Sequence, residues 1–354
     1  FEPDNTGARC QKFNIVGKDE IDNLTLAKFI AEVQEKELKY EMVDFHSQRP
    51  GHDLRYALDG TKMKYVVTGG AGFIGSNIVD LLVEKGHEVH VIDNFSTGKK
   101  ENCNPKAKYH DLDLSISNNL ETIKSILKGS DGVFHLAALA RVQESIDNPV
   151  HFEKNNTLST INILKACSEE KVKRLIYSAS SSAYGNTDKL PSKEEDKINP
   201  ISPYAMQKYY GEVCCKMFSQ VYGVETVSLR YFNVYGERQN LDGAYALVMC
   251  VFAKQRMNNE PLTIRGDGEQ RRDFTHVYDI ANANYLAMNS CKVGNGEVIN
   301  IGNSDNRSVN EIASLIGGPK TYVEPVIEPR ETLADNAKAK DLLGWSPTIN
   351  IEDW

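Results

Sequence analysis

The stretch Tyr65-Val66-Val67-Thr68-Gly69-Gly70-Ala71-Gly72-Phe73-Ile74-Gly75 constrains this chain more than any other part of it. A short apolar run leads into Gly69, Gly72 and Gly75, spaced G-x-x-G-x-x-G, and a helical pattern follows at once. Glycine lets the backbone turn sharply and come close to a ligand. The first turn of the next helix offers free N–H groups and the positive end of its dipole, which suits a pyrophosphate. The motif starts at residue 65, so another segment precedes the domain it opens.

From residue 64 onward strand and helix patterns alternate. Strands are expected at Lys64–Thr68, Glu88–Asp93, Gly132–Ala137, Arg174–Ser178 and Thr226–Tyr231, and helices at Ile74–Lys85, Pro149–Glu169 and Tyr204–Tyr222. Strand runs that are apolar on both faces predict a parallel sheet covered by helices on each side. The expected fold is therefore α/β, a doubly wound parallel-sheet Rossmann domain over residues 63–235. Glycine-marked turns then cluster, and residues 236–354 read as a smaller mixed α/β lobe, with parts of the chain crossing between the two. Residues 1–62 read as a partial duplicate of that lobe: Phe13-Asn14-Ile15-Val16-Gly17 echoes Ile299-Asn300-Ile301-Gly302, and a periodic helix follows each. Having no cofactor half of its own, that copy is expected to be dispensable for catalysis. The chain opens without methionine and stops at Trp354 as a helical pattern begins, which suggests a piece of a longer or fused reading frame.

The formal net charge of -8 argues against a nucleic-acid partner. No apolar run approaches the roughly 20 residues that span a bilayer, so no membrane partner is expected. The seven cysteines include no C-x-x-C pair. That speaks against a metal site or a disulfide scaffold and fits a reducing cytoplasm.

Asp93 closes the second expected strand, where a carboxylate accepts hydrogen bonds from an adenosine ribose and repels a 2′-phosphate. The cofactor read from this pattern is NAD; Lys99 and Lys100 lie close enough to weaken the preference over NADP. Tyr204 and Lys208, four apart on one helical face, bring a phenol and an ammonium together. A free tyrosine has a pKa of roughly 10, too high for a base at neutral pH, and a nearby cation lowers it. Upstream, Ser178-Ala179-Ser180-Ser181-Ser182 ends a strand where ligands bind in such sheets. His135 reads as a strand-end histidine satisfied by backbone, and Cys214 and Cys215 as small apolar helix residues.

Together these motifs resemble the extended short-chain dehydrogenase/reductase family, in particular its nucleotide-sugar 4-epimerases. The resemblance spans residues 63–354. Besides Thr68–Gly75 it rests on Asp93-Asn94-Phe95-Ser96-Thr97-Gly98, His135-Leu136-Ala137-Ala138, Asn155-Asn156, Ser178–Gly185 and Tyr204–Lys208. Arg230-Tyr231-Phe232-Asn233-Val234-Tyr235-Gly236 and Arg272-Asp273-Phe274 belong to the same pattern. It implies that Tyr204 is the base, Lys208 its partner and a ribose ligand, and Ser180 the serine on the reacting oxygen, with Ser181 and Ser182 beside the substrate. Phe73 and Ile74 would join the glycines on the cofactor, with Asn94, Ser96, Thr97 and Gly98 around its ribose. Asp113 and Leu114 would sit near adenine, and Leu136, Ala137, Ala138, Asn155, Ser178 and Tyr231 would line the remainder. Asn233 and Arg272 would hold the nucleotide diphosphate.

The activity implied is inversion at C4 of a UDP-hexose through a transient 4-keto sugar, in a homodimer formed through the Tyr204 helix. Related dehydratases and decarboxylases carry acids at the serine cluster, whereas Ser181-Ser182-Ala183 has none. A decarboxylase, dehydratase or reductase on a nucleotide sugar, and a non-catalytic NAD sensor, are the competing readings. Pro325 stands where epimerases of this kind have a phosphate-binding arginine, a role that would pass to Arg330. Thr332, small where glucose-restricted members carry a tyrosine, would admit UDP-N-acetylglucosamine beside UDP-glucose. The tail Arg49-Pro50-Gly51-His52-Asp53 is similar to that of a dTDP-glucose 4,6-dehydratase.

Overall fold

The computed structural model describes residues 62–187, 189–239, 248–325 and 329–354. Apart from Lys62, the expectations for residues 1–62 lie outside the described residues. The first half of the fold runs β1 (Lys64–Thr68), α1 (Phe73–Glu84), β2 (Glu88–Asp93), β3 (Lys108–Asp111), α2 (Leu120–Leu127) and β4 (Gly132–His135). Next come α3 (Val142–Asp147), α4 (Pro149–Glu153), a π-turn over Lys154–Leu158 and α5 (Ser159–Glu169). Then β5 (Arg174–Ser180), a 3₁₀ turn over Ser181–Tyr184, α6 (Pro203–Tyr222) and β6 (Glu225–Tyr231) follow.

These strands form a parallel sheet in the order β3-β2-β1-β4-β5-β6, and the order reverses between β1 and β4. That reversal splays the connecting segments to opposite faces and opens a crevice at the carboxyl ends of the strands. Ile78, Val79, Leu81 and Leu82 of α1 cover one face with Val67 and Val91. Helices α2, α5 and α6 cover the other through Ile123, Ile163, Leu164, Cys215 and Phe218.

The rest of the chain comprises β7 (Asn233–Tyr235), α7 (Val248–Met257), β8 (Leu262–Arg265), β9 (Arg271–His276), α8 (Val277–Asn289), β10 (Asn295–Ile301), β11 (Asn306–Ser308), α9 (Val309–Ile316), β12 (Lys320–Val323) and α10 (Ala337–Leu343). A second core gathers Tyr235, Phe252, Ile264, Phe274 and Ile312. The segment that crosses back is α8 and β10: β10 pairs in parallel with β6 as the seventh strand of the main sheet, and α8 packs beside α1.

Two buried cations join the layers. The Arg174 guanidinium donates to the carbonyls of Ala287, Met288, Ser290 and Val293 at 2.7–2.9 Å and caps the end of α8. Arg230 of β6 grips Glu212 of α6 bidentately at 2.9 and 2.8 Å. Strand β4 stops at His135, two residues short of the expected end, because the next amides turn toward Thr68. The helix expected over Pro149–Glu169 is interrupted by the π-turn, and α3, only six residues long, was too short to show a period.

Candidate functional site

Between β1 and α1 the chain makes the turn that the glycines require. Gly69 has φ of +70°, and a Cβ there would lie 2.8 Å from the Ala137 nitrogen. A Cβ on Gly75 would meet the Gly69 carbonyl oxygen at 2.2 Å, so only glycine lets α1 begin this close to the strand. Gly72 is the N-cap of α1, and no side chain caps the amides behind it. The helix therefore presents uncapped N–H groups and its dipole to the crevice. Asp93 ends β2 beside this turn, its carboxylate accepting from Ala71 N at 2.9 Å and Phe95 N at 2.8 Å. Lys99 pairs with Glu101, so a structural partner engages one of the two lysines near this carboxylate.

A cavity of about 330 Å³ runs along these strand ends. Of the expected cofactor residues, Gly69, Gly72, Phe73, Ile74, Gly75, Asp93, Asn94, Ser96, Thr97, Asp113 and Leu114 line it at one end. Leu136, Ala137, Ala138, Asn155, Ser178, Tyr204, Lys208 and Tyr231 continue its wall, with Ser180. Gly98 lies behind the wall, packed against the Asp93 carboxylate and Ala71. Burial alone would raise the Asp113 carboxyl, but hydrogen bonds from Ser115 and Asn94 outweigh it and hold the group below its ordinary range. Sequence reasoning missed Leu139, Ser115, Ser159 and Val234 in this wall. Ser115 and Leu139 sit on loops, while Ser159 opens α5 and Val234 lies in the three-residue β7, positions that no spacing singles out.

Of the expected diphosphate and sugar ligands, Ser180 lines this wall, and Ser181, Ser182, Asn233, Arg272, Arg330 and Thr332 do not. Arg330 forms a bidentate pair with Asp267 at 2.8 and 3.0 Å. That pairing occupies the guanidinium expected on the phosphate, and it pulls the Asp267 carboxyl down to about 2. The Thr332 hydroxyl accepts from Asp273 N at 3.3 Å. Asn233 opens β7, and Arg272 in β9 donates to the Arg271 carbonyl.

Helix α6 begins cleanly, with Ser202 as N-cap accepting from Ala205 N and Pro203 at the first position. It carries Tyr204 and Lys208 to the same cavity wall. The Ser182 amide and hydroxyl both donate to Ser180 Oγ, at 3.2 and 2.9 Å. This leaves the single proton of Ser180 to be donated, and it goes toward the Tyr204 phenol. Burial raises that phenol above its ordinary pKa, and the Ser180 bond pulls against it. The ammonium expected to act on the phenol is anchored elsewhere. Lys208 Nζ donates to the Ser178 carbonyl at 2.8 Å, and burial pushes it down to about 8.

His135 takes hydroxyl partners rather than the backbone partner expected. Its Nδ1 lies 2.7 Å from Thr68 Oγ1 and its Nε2 3.0 Å from Thr160 Oγ1. Burial, and after it the Lys208 charge, push the imidazole from 6.5 down to about 3. Below about pH 6.5 the unfolded chain therefore takes up a proton that the native ring refuses, and stability falls as pH is lowered through that window. Urea titrations at about pH 6.5 and about pH 4.5 are expected to show the wild type losing more stability than His135→Phe, by up to ~1.4 kcal/mol per pH unit. Equal losses would show that the ring charges freely in the folded state.

A family model described as the NAD dependent epimerase/dehydratase family matches residues 65–302. A relative from Methanocaldococcus jannaschii, which carries the provisional name UDP-glucose 4-epimerase, is 39% identical over 295 residues, covering 81% of this chain and 94% of its own length. The UDP-glucose 4-epimerase of Thermotoga maritima, solved with UDP-glucose, superposes with a TM-score of 0.77 at 37% identity, over 82% of this chain and 96% of that one. A UDP-N-acetylglucosamine 4-epimerase from Methanobrevibacter ruminantium, solved with UDP-N-acetylmuramic acid, gives 0.76 at 36% identity, over 81% and 93%.

Proposed function

The chain belongs to the NAD dependent epimerase/dehydratase family, and we propose that it inverts C4 of a UDP-hexose through a transient 4-keto sugar. The observation that carries this reading is one cavity lined both by the glycine turn and by Ser180, Tyr204 and Lys208. The residues present fit NAD: uncapped amides at the start of α1 suit a pyrophosphate, and Asp93 suits an unphosphorylated ribose. Bound there, NAD supplies a hydride acceptor that can return the hydride to the opposite face of the sugar.

In this reading Tyr204 accepts the proton of the sugar 4-hydroxyl and later gives it back. Ser180 hydrogen-bonds the phenol and favours its deprotonated form, and in this reading its one proton turns to the sugar oxygen when substrate is in place. Lys208, held by the Ser178 carbonyl, keeps a positive charge at this wall. Elimination or decarboxylation would call for a carboxyl group at the serine turn, and Ser181-Ser182-Ala183 offers none.

The test is incubation with UDP-glucose, UDP-N-acetylglucosamine and UDP-glucuronate, followed by product separation. C4-inverted products without net NADH are expected, the acetylated sugar included. Release of CO₂, or stoichiometric NADH, would overturn the reading.

The protein acts as a homodimer in this proposal. Met206, Tyr210, Val213 and Met217 form an exposed apolar stripe on α6, and Val142, Ile146 and Val150 extend it onto α3 and α4. Large exposed patches of this kind favour a protein partner. Val213→Asp is expected to yield monomers in sedimentation, and an unchanged dimer would move the interface elsewhere. No helix of the described residues is long and apolar enough to cross a membrane. A cytoplasmic setting is proposed from the odd, unpatterned cysteine set.

A further inference from the structure

His135 sits behind the cavity wall, and its hydrogen bonds leave every proton in one place. The Thr68 hydroxyl oxygen accepts from the amides of Leu136 and Ala137, both at 3.2 Å. The Thr160 hydroxyl donates to the Asn156 carbonyl at 2.6 Å. Thr160 Oγ1 can therefore only accept from the imidazole, so the ring proton is on Nε2. His135 Nδ1 is then the acceptor for the Thr68 proton, at 2.7 Å. A single chain of hydrogen bonds runs from the turn after β4, through the last residue of β1, across the ring, to the π-turn. Each end carries a piece of the cavity wall: Ala137 at one, and Asn155 of the π-turn at the other. Gly69, which follows Thr68, makes a third piece.

The ring is also wedged from below. It tilts against Tyr177 with ring centres 5.9 Å apart, and the Tyr177 ring lies 5.1 Å from Lys208 Nζ. A second positive charge here would face the Lys208 ammonium, and burial also disfavours it, so the imidazole remains neutral at working pH.

We propose that His135 is a positioning residue: a neutral imidazole of one fixed tautomer, which braces the turn after β4 against the π-turn and so sets the width of the cofactor cavity. It exchanges no proton with substrate. No other side chain could make both bonds easily, since acceptor and donor must leave opposite edges of one flat ring. Asparagine reaches one partner, and phenylalanine fills the space but reaches neither. Either change leaves at least one buried hydroxyl without its partner, and the strands and π-turn can then drift apart.

The proposal rests on the reading of the cavity as the NAD site, and the experiment separates the two. NAD binding is measured by fluorescence titration of stripped protein, alongside kcat, KM and the pH profile of loaded protein. His135→Phe is expected to bind NAD roughly tenfold more weakly. Its kcat should fall about tenfold to a hundredfold with KM for the UDP-sugar little changed. Its pH–rate profile should keep the wild-type shape. Thr160→Val, which removes only the acceptor of Nε2–H, should show the same split more mildly. The double variant should be no worse than His135→Phe alone.

If His135→Phe fails to fold, Thr160→Val alone decides, and wild-type NAD affinity in it overturns the proposal. So does loss of one limb of the pH profile, which would make the ring an acid or base. Wild-type NAD affinity and kcat with only a lower melting temperature would make it packing alone. Wild-type protein that binds no NAD would overturn the cofactor reading and this proposal with it.

Discussion

Tyr204→Phe is expected to lower kcat by about three orders of magnitude while NAD remains bound. The substitution removes one oxygen and keeps the ring that lines the cavity, so the site retains its shape. What disappears is the proton acceptor, together with the Ser180 hydrogen bond that holds the phenol down against burial. Among the described residues at this end of the cavity, no other neutral-pH base stands ready. Lys208 is tied to the Ser178 carbonyl, and His135 sits behind the wall with both ring nitrogens bonded. Turnover is measured by product separation, and cofactor content by absorbance after denaturation. Residual activity within about tenfold of wild type would remove Tyr204 from its role.

The second large effect falls on stability. Arg230→Met is expected to destabilise the fold by about 3–5 kcal/mol, because it leaves Glu212 buried without its counter-charge. The two side chains are 3% and 2% exposed. Burial lifts the Glu212 carboxyl above its ordinary range even with Arg230 beside it. Arg230 also lies 4.7 Å from the Tyr184 ring, so the loss reaches the turn that carries Ser181 and Ser182. The melting temperature should drop on the order of 10 °C. Adding Glu212→Leu should recover part of this, since an apolar pair needs no charge partner. A single variant within about 1 kcal/mol of wild type would show that water reaches the pair.

The strand–turn–helix opening was legible because each part has a local cause. Period and apolar runs mark β1, α1 and β2, and Gly69 and Gly75 stand where a side chain would collide with backbone. The Tyr204–Lys208 spacing likewise needs only helical geometry. What could not be read is what depends on partners distant in sequence. Asn156 bonds the Leu139 backbone and Gln207, ties that bring a π-turn, a loop and α6 together without any periodic mark. Lys208 was expected to serve the phenol, yet the strand-end carbonyl of Ser178 lies within its reach and accepts a hydrogen bond from its ammonium. Arg330 was read as a phosphate ligand from its place in the sequence, and only the fold reveals Asp267 opposite it. A crossing of the chain between the two lobes was expected, but no local pattern marked β10 as the strand that returns to the main sheet.

That return has a practical corollary. Because α8 and β10 are woven into the large half, the small lobe is stitched to it on both sides of residues 277–301. A protease nicking the chain near residue 240 would leave two fragments still interlocked, held by a strand pairing rather than a linker. For the same reason the lobe cannot be swapped as a cassette: any recombinant joined at residue 236 would import a foreign seventh strand and would have to remake the edge of its neighbour's sheet.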